Sequence, residues 1–535
     1  MEEFDFIVAG GGPGGCVVTS RLTEDPSVSV AMIESGPDRR GFLADNLAVG
    51  TLALGPRKST NNYAFETTPQ PGLNGRRDFH ALGRGLGGGS SINTLMYMRG
   101  NKLDYDDWAA MGNPGWGYAD VLPYFKKSEN NQTHRNAYHG NDGPLWVEEL
   151  RTDSPYHAIV KRACEEAGLP FNPDFNGVEQ EGYNCTQVVM KNGVRWHTGK
   201  AYIHPHLGVR KNLHLFVDTE CTRILFEGKR AVGVEVLSGG MKRQMRARKE
   251  VIVAAGGLLS AKLLQLSGVG IAADLQALGI PVVQHLPGVG RNLMDHIDVV
   301  LAYHIPGDPN LLGISPTAVK AIYKGYKQYQ REQRGLLATN FAELTGFMRL
   351  TPQSERPEIQ YEFVIALARD HGRKLEFQHG MSAHVLLLHP KSRGSVKLAS
   401  PDHRDAPLID FNYYSHPDDL KVLLEGTKRT HAIFGTPTFQ ALVKRDLETA
   451  GCKTDDDWVR FLRRVGGTNY HPVGSCKMGV DDMAVVDPTL RVHGLQSLRV
   501  VDSSIMPKIC GGNTMAPTIM IGERGADLIK REWRC

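Results

Sequence analysis

Phe4-Asp5-Phe6-Ile7-Val8-Ala9-Gly10-Gly11-Gly12-Pro13-Gly14-Gly15 stands at the start of the chain. The run Phe4 to Ala9 is apolar and of strand length, and Gly10, Gly12 and Gly15 after it read G-x-G-x-x-G. Gly14 to Leu22 carries small and branched residues suited to a tightly packed helix, and Val28 to Ile33 is a second apolar run ending in Glu34. Strand, glycine turn, helix and strand make a βαβ unit, the building block of a parallel sheet covered by helices. The pattern also has a chemical meaning. The first glycine permits a tight turn, the second lets backbone approach a pyrophosphate, and the third lets helix and strand pack closely. The helix N-terminus then offers free N–H groups to negative charge. Glu34 stands close to the spacing of about 20 residues expected of a carboxylate that binds a ribose hydroxyl. An acid there disfavours a 2′-phosphate, so the stretch predicts NAD or FAD rather than NADP.

Composition narrows the class. Hydrophobic residues make up 41% and charged residues 22% of 535, the balance of an ordinary globular protein. The formal net charge of +4 gives no concentrated basic face of the kind nucleic acid requires. No apolar run reaches the roughly 18 residues of a membrane-spanning helix. The chain shows no basic and apolar leader of the secretory kind, and its eight cysteines have no C-x-x-C spacing. Both features predict reduced thiols and a cytoplasmic location. The Asn131 and Asn184 sequons then read as chance matches. His134 and His139, without a supporting Cys or Asp cluster, read as surface residues, and no metal site is expected. Lys320, Lys324, Lys327, Arg331 and Arg334 alternate with Tyr323, Tyr326 and Tyr329. This stretch reads as a solvated helix face, with peripheral contact to an anionic membrane as the second reading.

Further along, His384 to Leu388 and Ser395 to Leu398 read as antiparallel strands joined by turns in Pro390 to Gly394. Glycine-rich turns return near residue 471, and a helix is expected from Ile519 to Lys530. The layout is a nucleotide-binding domain built from separate segments with a second domain inserted.

Residues 83–106 read Gly-Arg-Gly-Leu-Gly-Gly-Gly-Ser-Ser-Ile-Asn-Thr-Leu-Met-Tyr-Met-Arg-Gly-Asn-Lys-Leu-Asp-Tyr-Asp. Here the chain resembles the glucose–methanol–choline (GMC) oxidoreductases, whose first signature matches at Gly83, Arg84, Gly87, Gly88, Ser90, Asn93, Tyr97, Gly100 and Asp106. The likeness extends over almost the whole chain. A second signature is met imperfectly at Gly256 to Ala261, where Gly257 and Ala261 depart from the usual residues, and intact at Ser267-Gly268-Val269-Gly270. Pro287 to His296 is similar to the family's P-G-V-G-x-N-L-Q-D-H, with Met294 for Gln. The resemblance implies an α/β fold: a Rossmann-like FAD-binding domain (1–155, 200–297 and 461–535) with an inserted α+β substrate domain (156–199 and 298–460) containing an antiparallel sheet.

The same resemblance implies FAD contacts from Arg84, Gly88, Ser90, Asn93, Thr94, Leu95 and Met96, from the backbone at Cys221, and from Asp502, Thr514, Pro517 and Thr518. Pro517 and Thr518 are expected to open the last helix, whose positive end suits charge on a reduced flavin. Family members that attach FAD covalently use a histidine where this chain has Ile92, so non-covalent FAD is expected.

For catalysis the resemblance pairs His471, in Asn469-Tyr470-His471-Pro472, with Asn513, in Gly511-Gly512-Asn513-Thr514. Alcohol oxidation removes a hydroxyl proton and a hydride. Imidazole, with an ordinary pKa near 6.5, can take the proton, and the Asn amide can hydrogen-bond a developing alkoxide. The expected reaction converts a primary alcohol to an aldehyde, with electrons leaving to a quinone, a dye or O₂. An alcohol oxidase, and a non-redox hydroxynitrile lyase on the same fold, stay open as alternatives. Glu343, in Phe341-Ala342-Glu343-Leu344, is the candidate acid for substrate binding, with a structural ion pair as its other reading.

Overall fold

The computed structural model describes residues 2–55, 58–313, 315–369 and 378–535. The opening unit folds as its sequence predicts, as strand Glu2–Ala9, helix Pro13–Leu22 and strand Val30–Ile33. Its strands are almost wholly buried, as continuous apolar runs in a parallel sheet should be. The sheet runs in the order Leu213–Phe216, Val30–Ile33, Glu2–Ala9, Met241–Val253, Arg230–Ser238, Thr219–Glu227, with Leu498–Val500 added beside Met241–Val253. Neighbours from Leu213–Phe216 through Met241–Val253 pair parallel, and the last three strands form an antiparallel meander.

A second sheet is antiparallel throughout. Its order is Arg445–Asp446, Ile297–His304, Gly380–Leu387, Ile359–Val364, Ala342–Met348, Gly182–Cys185. Gly467–Thr468 also pairs with Ile297–His304, which carries the chain directly to His471. Strand Ser395–Lys397 exists as expected but pairs with Leu408–Asp410 rather than with its predecessor. The mixed α/β architecture with an antiparallel second sheet is the expected one.

The last helix differs in its bounds. It runs Met515–Trp533, starting before Pro517. A proline in the first turn is tolerated because the N–H it lacks would have no intrahelical acceptor there. Its buried face packs on helix Pro13–Leu22, and Arg21 makes a two-nitrogen ion pair with the buried Glu523.

His139 also departs from expectation. It is buried, with Nδ1 3.0 Å from Glu129 and Nε2 2.9 Å from Asp174, and Asn131 joins the same network. Two carboxylates supply the partners that water would otherwise provide, and they raise its pKa against the opposing effect of burial. His134 remains partly exposed.

Candidate active site

A cavity of about 950 Å³ is lined by the first glycine turn, the 83–96 stretch, and the loops that carry His471 and Asn513. Of the residues singled out in the sequence, Gly10, Gly12, Glu34, Arg84, Gly88, Ser90, Asn93, Thr94, Met96, Cys221, Asp502, Thr514 and Thr518 line it together with that pair. Gly15, Leu95, Pro517 and Glu343 do not. Gly15 acts by packing: a Cβ there would lie 1.9 Å from the Gly10 carbonyl oxygen. Leu95 is fully buried in a turn with φ 56°, its N–H given to Asn93 Oδ1 at 3.1 Å.

Other glycines leave room. A Cβ on Gly89 or Gly256 would meet no atom within 4 Å, and one on Gly12 only the Ala254 carbonyl oxygen at 3.9 Å. All three line the cavity, so bare backbone faces space that the protein does not fill. That is the cradle a pyrophosphate and its neighbouring groups require.

Two carboxylates brace the cradle. Glu34 accepts N–H bonds from Gly11 (2.9 Å), Gly36 (2.8 Å) and Gly85 (2.9 Å), tying three turns together. Asp502 accepts from Gly256 N (2.8 Å), Ser260 Oγ (2.5 Å) and Ser504 N (2.8 Å), while burial pushes its pKa up. Ser90 Oγ donates to the Gly87 carbonyl and accepts from Thr198 N. Arg84 donates to the Ser35 carbonyl at 2.9 Å.

At His471 the hydrogen bonds determine which ring nitrogen is bare. His296 Nε2 lies 3.1 Å from the Leu388 carbonyl oxygen, which can only accept, so that nitrogen carries a proton. Burial pushes His296 down to about 3, so its ring is neutral and its Nδ1 is a lone pair. The 3.0 Å contact between His296 Nδ1 and His471 Nδ1 therefore has His471 donating. Burial, reinforced by His296 and His80, holds His471 well below the usual imidazole range. His471 is thus neutral with its one proton on Nδ1, and Nε2 is free to accept. Its backbone N–H is anchored at 2.8 Å to Asp295, a carboxyl that burial pushes up to about 7.

Asn513 is oriented by the same logic. Gln360 Nε2 donates to Asn513 Oδ1 at 3.1 Å and to Glu362 Oε1 at 2.9 Å. With its oxygen engaged, the Asn513 amide presents Nδ2, which lies 3.4 Å from His471 Nε2. A bare imidazole nitrogen and an amide N–H therefore converge on one point in the cavity lining. A hydroxyl bound there can lose its proton to the first and be hydrogen-bonded by the second.

The acid at this end is Glu362, not Glu343. Alternation along Ile359–Val364 sends Gln360, Glu362 and Val364 one way and Ile359, Tyr361 and Phe363 into the core. On the neighbouring strand Ala342 lines the cavity, and the register slips between Ala342 and Leu344. Glu343 is carried to the other side, where it pairs with His157 Nε2 at 2.9 Å. Its expected substrate contact is replaced by the ion pair. Glu362 sits opposite His384, which pairs with Asp298 on the next strand. Burial pushes Glu362 up to about 7 against the attraction of His384. Phe341, Val364, Ala366, Leu367 and Ala368 complete an apolar lining.

Asp295, His296, Gln360, Glu362 and His384 were not singled out in the sequence for chemistry. Asp295 and His296 end the Pro287 to His296 motif. The alternating polar positions of Ile359–Val364 were a signal for the strand, though not for the direction its polar face takes.

Comparison with known proteins agrees with this architecture. A GMC oxidoreductase family model matches residues 4–298, and a second of the same description matches 390–522. An alcohol dehydrogenase [acceptor] of Pseudomonas putida is 40% identical over 533 residues, covering 99% of this chain and 96% of that protein. The mitochondrial choline dehydrogenase of Mus musculus is 38% identical, covering 99% of this chain and 90% of that protein. Among solved structures, an FAD-dependent oxidoreductase from Chaetomium thermophilum superposes with TM-score 0.90 at 29% identity, covering 99% of this chain and 100% of that one. Pyridoxine 4-oxidase from Mesorbium loti gives TM-score 0.87 at 27% identity, covering 99% of each chain. With both family models and full-length relatives in agreement, the chain belongs to the GMC oxidoreductase family.

Proposed function

We propose that this enzyme oxidises a primary alcohol with an apolar body to an aldehyde, using FAD held without a covalent bond and passing electrons to a quinone or another non-NAD acceptor. The observation that carries the reading is the neutral His471, its bare Nε2 beside the Asn513 amide in a cavity shared with the glycine turns. In the reaction the hydroxyl proton goes to His471 Nε2. The Asn513 Nδ2–H stabilises the negative charge that grows on the alcohol oxygen, and a carbonyl forms there as the carbinol C–H pair leaves. FAD, when bound, would supply the acceptor for that hydrogen and its electron pair, a hydride. Burial disfavours the imidazolium so formed, which favours return of its proton to water before the next turnover.

FAD is supported by the bare glycine backbone at Gly12, Gly89 and Gly256 and by the FAD dependence of the similar oxidoreductase from Chaetomium thermophilum. The groups that would hold it are that backbone, with Glu34 and Asp502 bracing it and Ser90, Asn93 and Thr518 in the same lining. Ile92 lines the cavity where a covalent link would need a nucleophile. The apolar residues around Val364 favour an alkyl or aryl body on the substrate. A division into a cofactor part (1–155, 200–297, 461–535) and a substrate part (156–199, 298–460) is supported by which segments build the two largest sheets; strand Gly467–Thr468 crosses it, and so does a smaller sheet in which Leu145–Glu149 pairs with Gln187–Lys191.

An anaerobic alcohol panel tests the reading. The oxidised flavin band should bleach with primary alcohols, and His471→Ala should keep its flavin but reduce it about 10²–10⁴-fold more slowly. Acid precipitation should leave the flavin in solution. Unchanged flavin with every alcohol, or wild-type reduction by the variant, defeats the proposed chemistry. Flavin that stays with the precipitate defeats the non-covalent assignment.

A further inference from the structure

Fourteen large apolar side chains are strongly exposed among the described residues, and half of them fall in two short segments, 42–52 and 319–326. Chance scatter does not concentrate them so, and contiguous apolar exposure marks an interaction surface. The two segments adjoin. Phe42 meets Tyr326 edge-on at 5.6 Å and Tyr329 at 6.0 Å, and Asn46 donates to the Leu337 carbonyl at 2.9 Å.

Helix Pro316–Glu332 divides its circumference three ways. Ala318, Gly325 and Tyr329 face the protein. At 3.6 residues per turn, Ile322, Tyr326, Val319 and Tyr323 form the next sector, exposed and apolar apart from Gln330 among them. Lys320, Lys324, Lys327 and Arg331 form the third, and Glu332 is the helix's one carboxylate. The Lys327 ammonium lies 4.7 Å from the centre of the Tyr323 ring, at the seam between the apolar and basic sectors.

We infer that the face made by Phe42, Leu43, Val319, Ile322, Tyr323 and Tyr326 seats this protein on an anionic lipid surface. An apolar sector flanked by lysines suits a helix lying in the plane of the headgroups, apolar side down and ammonium groups against phosphates. A partner protein would not require a row of cations along one edge. Lipid of negative charge supplies both the apolar and the anionic component. Leu52, 67% exposed, also belongs to the cavity lining, so a rim of the site lies near the docked face. An apolar alcohol or acceptor dissolved in the bilayer then has a short path to the cavity.

The test is co-sedimentation of the flavin-loaded protein with phosphatidylcholine vesicles that contain or lack phosphatidylglycerol. Binding is expected on the anionic vesicles only and should weaken as salt rises. Lys320→Glu/Lys324→Glu/Lys327→Glu should lower it at least about tenfold. Ile322→Ser/Tyr326→Ser should lower it as well, with flavin content and turnover of a water-soluble alcohol unchanged in both variants. Equal binding to neutral vesicles, or none to either, overturns the inference. So does a native mass of a dimer that either variant converts to monomer, because the face would then cover a second copy. Vesicle binding needs no turnover, so failure here leaves the proposed chemistry untouched.

Discussion

A buried histidine serves as a base only if the nitrogen facing the substrate lacks a proton, and here that condition is set by a second histidine. The Leu388 carbonyl holds the proton of His296 on Nε2, and His296 in turn holds the proton of His471 on Nδ1. Holding a catalytic imidazole in the wrong tautomer costs a serine-protease triad about 10⁴-fold. We expect His296→Leu to slow flavin reduction by at least about tenfold, with His296→Asn recovering much of the loss. The Asn amide can both donate to Leu388 and accept from His471. The acid limb of the rate profile should also move further down in His296→Leu, because burial, the main force holding His471 low, stays in place while the lone pair that accepts from His471 Nδ1 is lost. Stopped-flow reduction across pH measures both effects. A wild-type rate with an unmoved acid limb in His296→Leu would show that His296 only fills space.

Glycines that look alike in a turn do different jobs, and substitution separates them. Gly15→Ala would drive a Cβ to 1.9 Å from the Gly10 carbonyl oxygen, so strand and helix must part. Gly89→Ala meets no protein atom within 4 Å. We expect Gly15→Ala to lower thermal stability severely even without flavin. Gly89→Ala should leave the flavin-free melting temperature within a degree or two, since surface changes away from special features cost about 0.5 kcal/mol or less, yet weaken flavin binding. Calorimetry and flavin titration distinguish the two; equal loss of stability in both would sink the distinction. These turns were legible in the sequence because glycine spacing and the two apolar runs are local signals. His471 and Asn513 were legible through motifs of the same kind. Gln360, Glu362 and His296 were not. They reach the site from strand Ile359–Val364 and from the turn before Ile297–His304, and only strand pairing decides which way such side chains face. Glu343 takes the second of its two sequence readings, the ion pair, for the same reason: alternation beside a register slip turns it away from the cavity.

Across the whole molecule, the site gathers buried acids from distant segments, and their titration is coupled to global unfolding. Burial raises Asp295 and Glu362 to about 7 and raises Asp502 as well. An acid with a raised folded-state pKa keeps its proton in the fold while the unfolded chain loses it. Stability from such a group is complete below the unfolded value, 4.5 for Glu362, and is lost as pH rises through the folded value of about 7. The buried histidines act on the other flank. His80 and His296 are pushed down to about 3, so the unfolded chain gains their protons first and stability falls as pH drops below the ordinary imidazole value of 6.5. The two trends oppose each other between pH 4.5 and 6.5, so a wild-type melting curve alone cannot assign either. The difference between wild type and Glu362→Gln isolates one group. Glutamine keeps the shape and an oxygen for Gln360 without the ionisation, so the variant should gain on wild type steadily from about pH 4.5 to about pH 7 and hold a constant lead above that. Melting temperatures of both flavin-loaded proteins across this range measure the difference. A gap independent of pH would mean that Glu362 titrates like an exposed acid and cannot be the neutral, hydrogen-bonded carboxyl that steadies Gln360 and Asn513 beside the reacting alcohol.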